Sequence, residues 1–284
     1  MASSGATLVA KRKRPWQGAM ICSKVVRYTC EFLLLCHISE RAAPAFIGAK
    51  VAETIVVASM TVLRHPGIMG SIAVEASALA GCNLVRMVAF CHLAGLLGSV
   101  LSFKYQGSAP SSSITSMSLS ALETPEGKID YPLAFQLLLA SPLKEELLFR
   151  GIVFRTMVAN GVALTPSAVL SGLIFGAAHI INMVTSSFTV LYVAAQVALG
   201  SLAGCFYSLL LAQTGSPFPA LALHVLSNAC CCLMPGGDSD SDSKPLTLLL
   251  QLAWSSAVYG AACVASIKSL GRVNATPKLR AKRA

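Results

Sequence analysis

The chain has very little charge for its size. Of its 284 residues only 12% are charged, against 55% hydrophobic, and the mean hydropathy is +0.67. A soluble protein of this length needs more charge than that to cover its surface, so the composition points to lipid. Aspartate is absent from 131 to 237, which leaves a Ser/His/Asp triad without support in that half. The ten cysteines include no CxxC pair, and several fall inside apolar runs. They read as small apolar residues rather than disulfide or zinc partners. No HExxH helix pre-forms a zinc site, and no period marks a repeat array. There is no acid before Glu31 and no evident cleavable secretory signal.

What is present is a series of apolar runs near the length of a bilayer crossing. With soft edges they cover 20–37, 44–63, 67–82, 84–103, 131–149, 163–183, 188–212, 217–234 and 246–268. In lipid every backbone group must be paired within its own segment, so these runs are helices. The predicted fold is an all-α, polytopic transmembrane helical bundle. The net charge of +10 is concentrated at the ends. Lys11 to Arg14, Lys24 and Arg27 stand at one end, and Lys268, Arg272, Lys278, Arg280, Lys282 and Arg283 at the other, with no acid among either group. Basic flanks face the cytosol, so both termini lie there and the number of spans is even; eight is the expectation. Juxtamembrane anchoring explains these tails better than a nucleic-acid partner. The Ser- and Ala-containing start shares features with mitochondrial transit peptides, but its compact basic cluster fits a cytosolic anchor better.

Polar interruptions divide the chain. Residues 1–103 read as a basic segment and packing helices, and 104–130 as a Ser-, Gly- and Pro-rich flexible linker. Residues 131–235 read as the functional domain, and 236–284 as a polar loop, a last span and a basic tail. The run Cys230-Cys231-Cys232 is a candidate for palmitoylation near a membrane face.

From 131 to 235 the acidic residues are Glu145 and Glu146 and the basic ones Lys144, Arg150 and Arg155, all within "SPLKEELLFRGIVFR". An ionisable group inside a bilayer costs roughly 2.5–3.5 kcal/mol on insertion scales, so such a cluster needs a reason. The plain explanation is a wetted helix end, with Arg150 paired to Glu146 at i,i+4 and Lys144 and Arg155 as interface residues. Two further spans carry polar residues of their own. His179 follows Phe175 by one turn, beside Gly172 and Gly176, which admit a close neighbouring helix. His224 and Asn228 share one helix face. Polar groups in adjacent spans lower each other's cost only by meeting, so a common cavity is the economical arrangement.

Such a cavity would support hydrolysis of an amide by activated water. A carboxylate and a neutral imidazole can hold and deprotonate the water. A second imidazole and a carboxamide can face the developing oxyanion. Arg150 would orient one glutamate and keep it ionised. Two histidines and a glutamate are also the ligand set of a catalytic zinc site, so a divalent metal such as zinc stays open. A proton-relaying transporter or scaffold is the alternative from another class, although no inverted repeat supports it.

In their order, Glu145-Glu146 with Arg150, Phe175 with His179 and His224 with Asn228 resemble the CAAX proteases and bacteriocin-processing enzymes. That family of intramembrane endopeptidases includes the type II CAAX prenyl endopeptidases, and the resemblance spans about 131–235. It implies that Glu145 is the general base, sharing a water with His179, and that His224 and Asn228 line the oxyanion site. Glu146 and Arg150 would support them, and Phe175 would pack near the water. The implied partners are a prenylated protein or peptide and the lipid bilayer. The implied reaction is removal of a C-terminal tripeptide, at the endoplasmic reticulum.

Overall fold

A computed structural model describes residues 27, 83–105, 122–124, 126–185, 189–233 and 245–281. Apart from residue 27, the expected spans at 20–37, 44–63 and 67–82 lie outside these residues. The described part is all-α, with a single antiparallel bridge, Glu123 to Ile129, outside the helices. We name its helices α1 (Asn83–Tyr105), α2 (the continuous run 131–159), α3 (Leu164–Ala178), α4 (Val190–Thr214), α5 (Phe218–Cys232) and α6 (Pro245–Ala281). A 3-10 turn (His179–Ile181) and a last turn (Asn182–Thr185) extend α3.

Eight crossings were expected from charge parity. Among the described residues, three helical stretches are long and apolar enough to cross a membrane: Leu164–Ile181, Val190–Thr214 and Leu249–Gly271. Asn83–Gly98 and Phe218–Cys232 are apolar but shorter, and the charges at 144–146 and 150 interrupt α2. The last helix also runs past the predicted span at 246–268, taking much of the expected basic tail into one continuous helix. Leu170, Leu173, Ile181 and Val190 and, on α6, Leu250 and Val264 are exposed on the outside of the bundle. Apolar side chains on that scale are stable outside only against lipid or another apolar partner.

Local chemistry sets where the helices start and stop. The expected linker at 104–130 ends in an ordered turn. There Thr124 N–H donates to Lys128 C=O at 2.7 Å, and Gly127 takes a left-handed φ of 74°. Asp130 then caps α2, its Oδ1 accepting from Leu133 N–H at 2.9 Å, with Pro132 in the first turn where no donor is missed. Thr189 caps α4 through Tyr192 N–H at 3.3 Å. Gly215, at φ 76°, closes α4 by donating to Leu211 C=O at 2.8 Å. Arg155, expected as an interface residue only, donates to Gly215 C=O at 3.3 Å and so ties α2 to the end of α4.

The wide turns inside α2 were not anticipated. Gln136–Ala140 and Leu147–Phe154 adopt π-helical geometry, with α-helical Ser141–Glu146 between them. Such turns are rare and weaken the helix's own bonding, so neighbours must compensate. Each receives a side chain from another helix. Asn228 Nδ2 donates to Leu137 C=O at 2.9 Å, and Ser171 Oγ donates to Phe149 C=O at 3.1 Å.

Helix α4 is the centre of the packing and touches α2, α3, α5 and α6. One core joins α4 (Phe206, Tyr207, Leu209 to Leu211) with Val88 of α1, Leu223 of α5 and Tyr259 of α6. A second lies along α2, from Leu147 to Met157, and meets Phe175. The approach of α3 to α4 depends on glycine on both sides. A Cβ at Gly172 would come within 2.5 Å of Cys205 N and Ser201 O, and one at Gly204 within 2.9 Å of Gly172 Cα. Gly172 and Gly176 thus admit the neighbour as expected, and Gly200 and Gly204 match them at the same four-residue spacing. That second pair is visible in the sequence "GSLAG".

Candidate active site

The wide turn over Leu147–Phe154 takes Arg150 into the bundle, where it is 0% exposed. Its guanidinium lies between two aromatic faces, 4.5 Å from the centroid of Phe175 and 5.1 Å from that of Tyr207. Aromatic faces favour a desolvated cation. Its Nε lies 3.1 Å from Glu146 Oε2, so one buried charge answers the other across a single helical turn.

Glu146 Oε1 lies 2.8 Å from Nδ1 of His224 on α5. A carboxylate held by arginine is an acceptor, so Nδ1 is assigned as the donor. The other ring nitrogen, Nε2, lies 3.6 Å from Glu145 Oε2. The two adjacent glutamates therefore stand on the two nitrogens of one imidazole, although they point differently into the bundle. The Glu146 side chain is 1% exposed and that of Glu145 26%. Glu146 is the sealed partner, and Glu145 is the carboxylate that water can reach.

Phe175 joins the three motifs. Its ring meets those of His179 at 5.2 Å, His224 at 5.8 Å and Phe149 at 5.0 Å, all edge to face, while Arg150 sits on its surface. His179 is at the end of α3, where the helix tightens into its 3-10 turn. The following turn is tied to α4 by Asn182 Nδ2 donating to Gln196 Oε1 at 3.0 Å. Beside the ring, Gly200 leaves space where a Cβ would stand 3.7 Å from His179 Nε2. His179 lies within electrostatic reach of both Glu145 and His224.

A cavity of about 570 Å³ opens beside these groups. Phe175, His179, His224 and Asn228 line it, and Glu145, Glu146 and Arg150 do not. Those three reach it through its lining, the glutamates at the His224 ring and Arg150 over the Phe175 ring. Asn228 also holds the Leu137 carbonyl, a contact with no counterpart in the sequence reading.

Sequence reasoning missed a second polar group on the same cavity. Tyr259 Oη of α6 lies 2.9 Å from both His92 Nε2 of α1 and Tyr207 Oη of α4. Tyr207 then carries this chain of contacts to the Arg150 cage. His92 is the one histidine of an apolar run that also holds Arg86, and a lone histidine of that kind more often marks packing than a site. Its only signal was the cost of an ionisable residue in lipid.

Among the described residues, no three His, Cys, Asp or Glu side chains are grouped so as to hold a metal ion. His224 already has a carboxylate facing each of its ring nitrogens. The residues as arranged do not form a zinc ligand set, and no chemical step below is routed through a metal.

The comparisons with known proteins agree with the geometry. Residues 128–230 match the family described as "Rce1-like: Type II CAAX prenyl endopeptidase Rce1-like". The match contains all three motifs and α2 to α5, and leaves out His92 on α1 and Tyr259 on α6. No curated protein and no solved structure matches the chain.

Proposed function

We propose that this chain, a member through residues 128–230 of the Rce1-like family of type II CAAX prenyl endopeptidases, removes the C-terminal tripeptide of prenylated proteins by glutamate-activated water. The observation that carries the reading is the clasp on His224. Its ring lines the cavity beside His179 and Asn228, while the two motif glutamates stand 2.8 Å and 3.6 Å from its nitrogens.

Glu145 is the general base. It is the carboxylate left accessible, and it shares the attacking water with His179. Hydroxide adds to the scissile carbonyl carbon as the water proton passes to Glu145. The oxyanion develops on the side of the cavity lined by His224 and Asn228, where the Asn228 Nδ2 keeps a second hydrogen beyond the one it donates to Leu137 C=O. The carbon–nitrogen bond then breaks, and the proton held by Glu145 is returned to the leaving amine. Glu146 fixes the His224 ring through Nδ1, which leaves Nε2 to work toward Glu145 and the substrate. Arg150 faces Glu146 across one helical turn, and the rings of Phe175 and Tyr207 hold Arg150 where water cannot compete. The basic ends of the chain support an orientation with both termini cytosolic, and the family likeness alone suggests the endoplasmic reticulum membrane.

The test is release of the tripeptide from a farnesylated CAAX peptide by purified full-length protein, compared with Glu145→Ala. Release by wild type alone supports the reading. Equal release by both proteins removes Glu145 from the chemistry. No release by either discards the prenylated substrate and sends the search to other membrane peptides.

A further inference from the structure

Pro142 stands inside α2, three residues before Glu145, and its nitrogen carries no hydrogen. The consequence can be followed bond by bond. In the wide turn before it, Ser141 N–H reaches back five residues to Gln136 C=O. The next bond in that register would run from residue 142 to Leu137 C=O, and a proline cannot make it. Leu137 C=O is the carbonyl that Asn228 Nδ2 donates to, at 2.9 Å and across 91 residues of sequence.

We infer that Pro142 and Asn228 work as a pair, the proline freeing a backbone carbonyl of α2 and the carboxamide of α5 taking it. A carbonyl left unpaired where it is partly shielded from water is costly, so the contact is held wherever the two helices are packed. Its place matters for the site. On α2 the contact lies just before Glu145 and Glu146, and on α5 it lies one turn beyond His224. It therefore fixes the height of the two glutamates against the two nitrogens of the imidazole they clasp. Asn228 is a positioning residue in this respect, in addition to any contact it makes with substrate. The catalytic part of the inference rests on the peptidase reading; the structural part does not.

Replacing Pro142 supplies the test, because alanine there restores the missing N–H. The wide turn can then complete its own bonding, or tighten so that Ser141 N–H takes Leu137 C=O. In either case the carbonyl no longer depends on Asn228. Four full-length proteins are compared: wild type, Pro142→Ala, Asn228→Ala and the double variant. Each is assayed for kcat and KM on the farnesylated peptide and for its thermal unfolding midpoint.

Asn228→Ala is expected to lose about 100-fold in kcat with KM little changed, the order of loss for a misplacement of about 1 Å. Pro142→Ala stays near wild type, because Asn228 is still in place to hold α5 against α2. The double variant regains none of the lost kcat, because alanine at 142 satisfies the carbonyl without rebuilding the clamp between the helices. The midpoint does recover: the drop caused by Asn228→Ala is at least halved when Pro142 is already alanine. A loss in Asn228→Ala that appears as a raised KM with kcat unchanged overturns the positioning role, since Asn228 would then act only on substrate binding. Independent, additive effects on the midpoint overturn the pairing itself. If wild type cleaves no peptide, the peptidase reading fails, and the midpoint coupling alone decides the pairing.

Discussion

Adding one methyl group at Gly172 and one at Gly200 should have very different effects, although both glycines face the same crossing of α3 and α4. At Gly172 the new carbon would stand 2.5 Å from Cys205 N and from Ser201 O, which are backbone atoms and cannot turn aside. Packed atoms sit about 3.5–4.0 Å apart, so α3 and α4 must separate by roughly 1 Å. At Gly200 the nearest atoms are Gly176 Cα at 3.3 Å and the His179 ring at 3.7 Å, and a few tenths of an ångström suffice. Overpacking costs about 1–3 kcal/mol, and alanine returns up to about 1 kcal/mol of helix propensity. Gly172→Ala should therefore destabilise by about 2 kcal/mol net, while Gly200→Ala comes out near neutral. Because His179 stands at the end of α3, the parting of the helices displaces it from Glu145 and His224. A displacement of about 1 Å costs on the order of 100-fold in rate. The assay is tripeptide release alongside thermal unfolding of the same preparations. Wild-type rate and stability in Gly172→Ala, or equal damage from both substitutions, would refute the reasoning.

Two further substitutions probe the buried charges and the aromatic chain. Arg150→Leu leaves Glu146 as an unpaired buried charge and should cost about 3–5 kcal/mol in unfolding, whereas Arg150→Leu with Glu146→Leu should recover most of that stability and none of the activity. Recovery of activity in the double variant would show that Glu146 does not orient His224. Tyr259→Phe removes the hydroxyl shared by His92 and Tyr207, and leaving those two partners unsatisfied should lower stability by about 1–3 kcal/mol in a denaturant titration. An unchanged midpoint would mean that the contacts contribute nothing net.

The helices and the candidate site residues were legible in the sequence for a definite reason. In lipid an unpaired backbone is too costly for anything but a helix here, so apolar length alone identifies α3, α4 and α6. The same cost makes every intramembrane Glu, Arg and His informative, and it required the three motifs to meet. Helical periodicity placed Glu146 with Arg150 and His224 with Asn228 on common faces, and both pairings have a role in the structure.

Other features depended on contacts between helices that are distant in sequence. Periodicity says which residues share a face, but not which helix that face meets or at what height. The four-carbonyl logic of a regular helix also gives no notice of wide turns, because their cost is offset only by donors from elsewhere, here Ser171 and Asn228. For the same reason residue chemistry alone could not divide the work between Glu145 and Glu146, which are neighbours with identical side chains; only the family resemblance assigned Glu145 as the base and Glu146 as its support. Their difference lies in surroundings, with Glu146 sealed beside Arg150 and Glu145 left at 26% exposure. It likewise could not reveal that His92 and Tyr259, outside the matched segment, reach the same cavity. The amino-acid sequence by itself determined that the chain is helical and apolar and which of its spans carry ionisable residues, because those follow from local composition and the cost of charge in lipid. Only the tertiary structure decided which carboxylate faces water and which orients the imidazole, because that choice is made by packing across four helices.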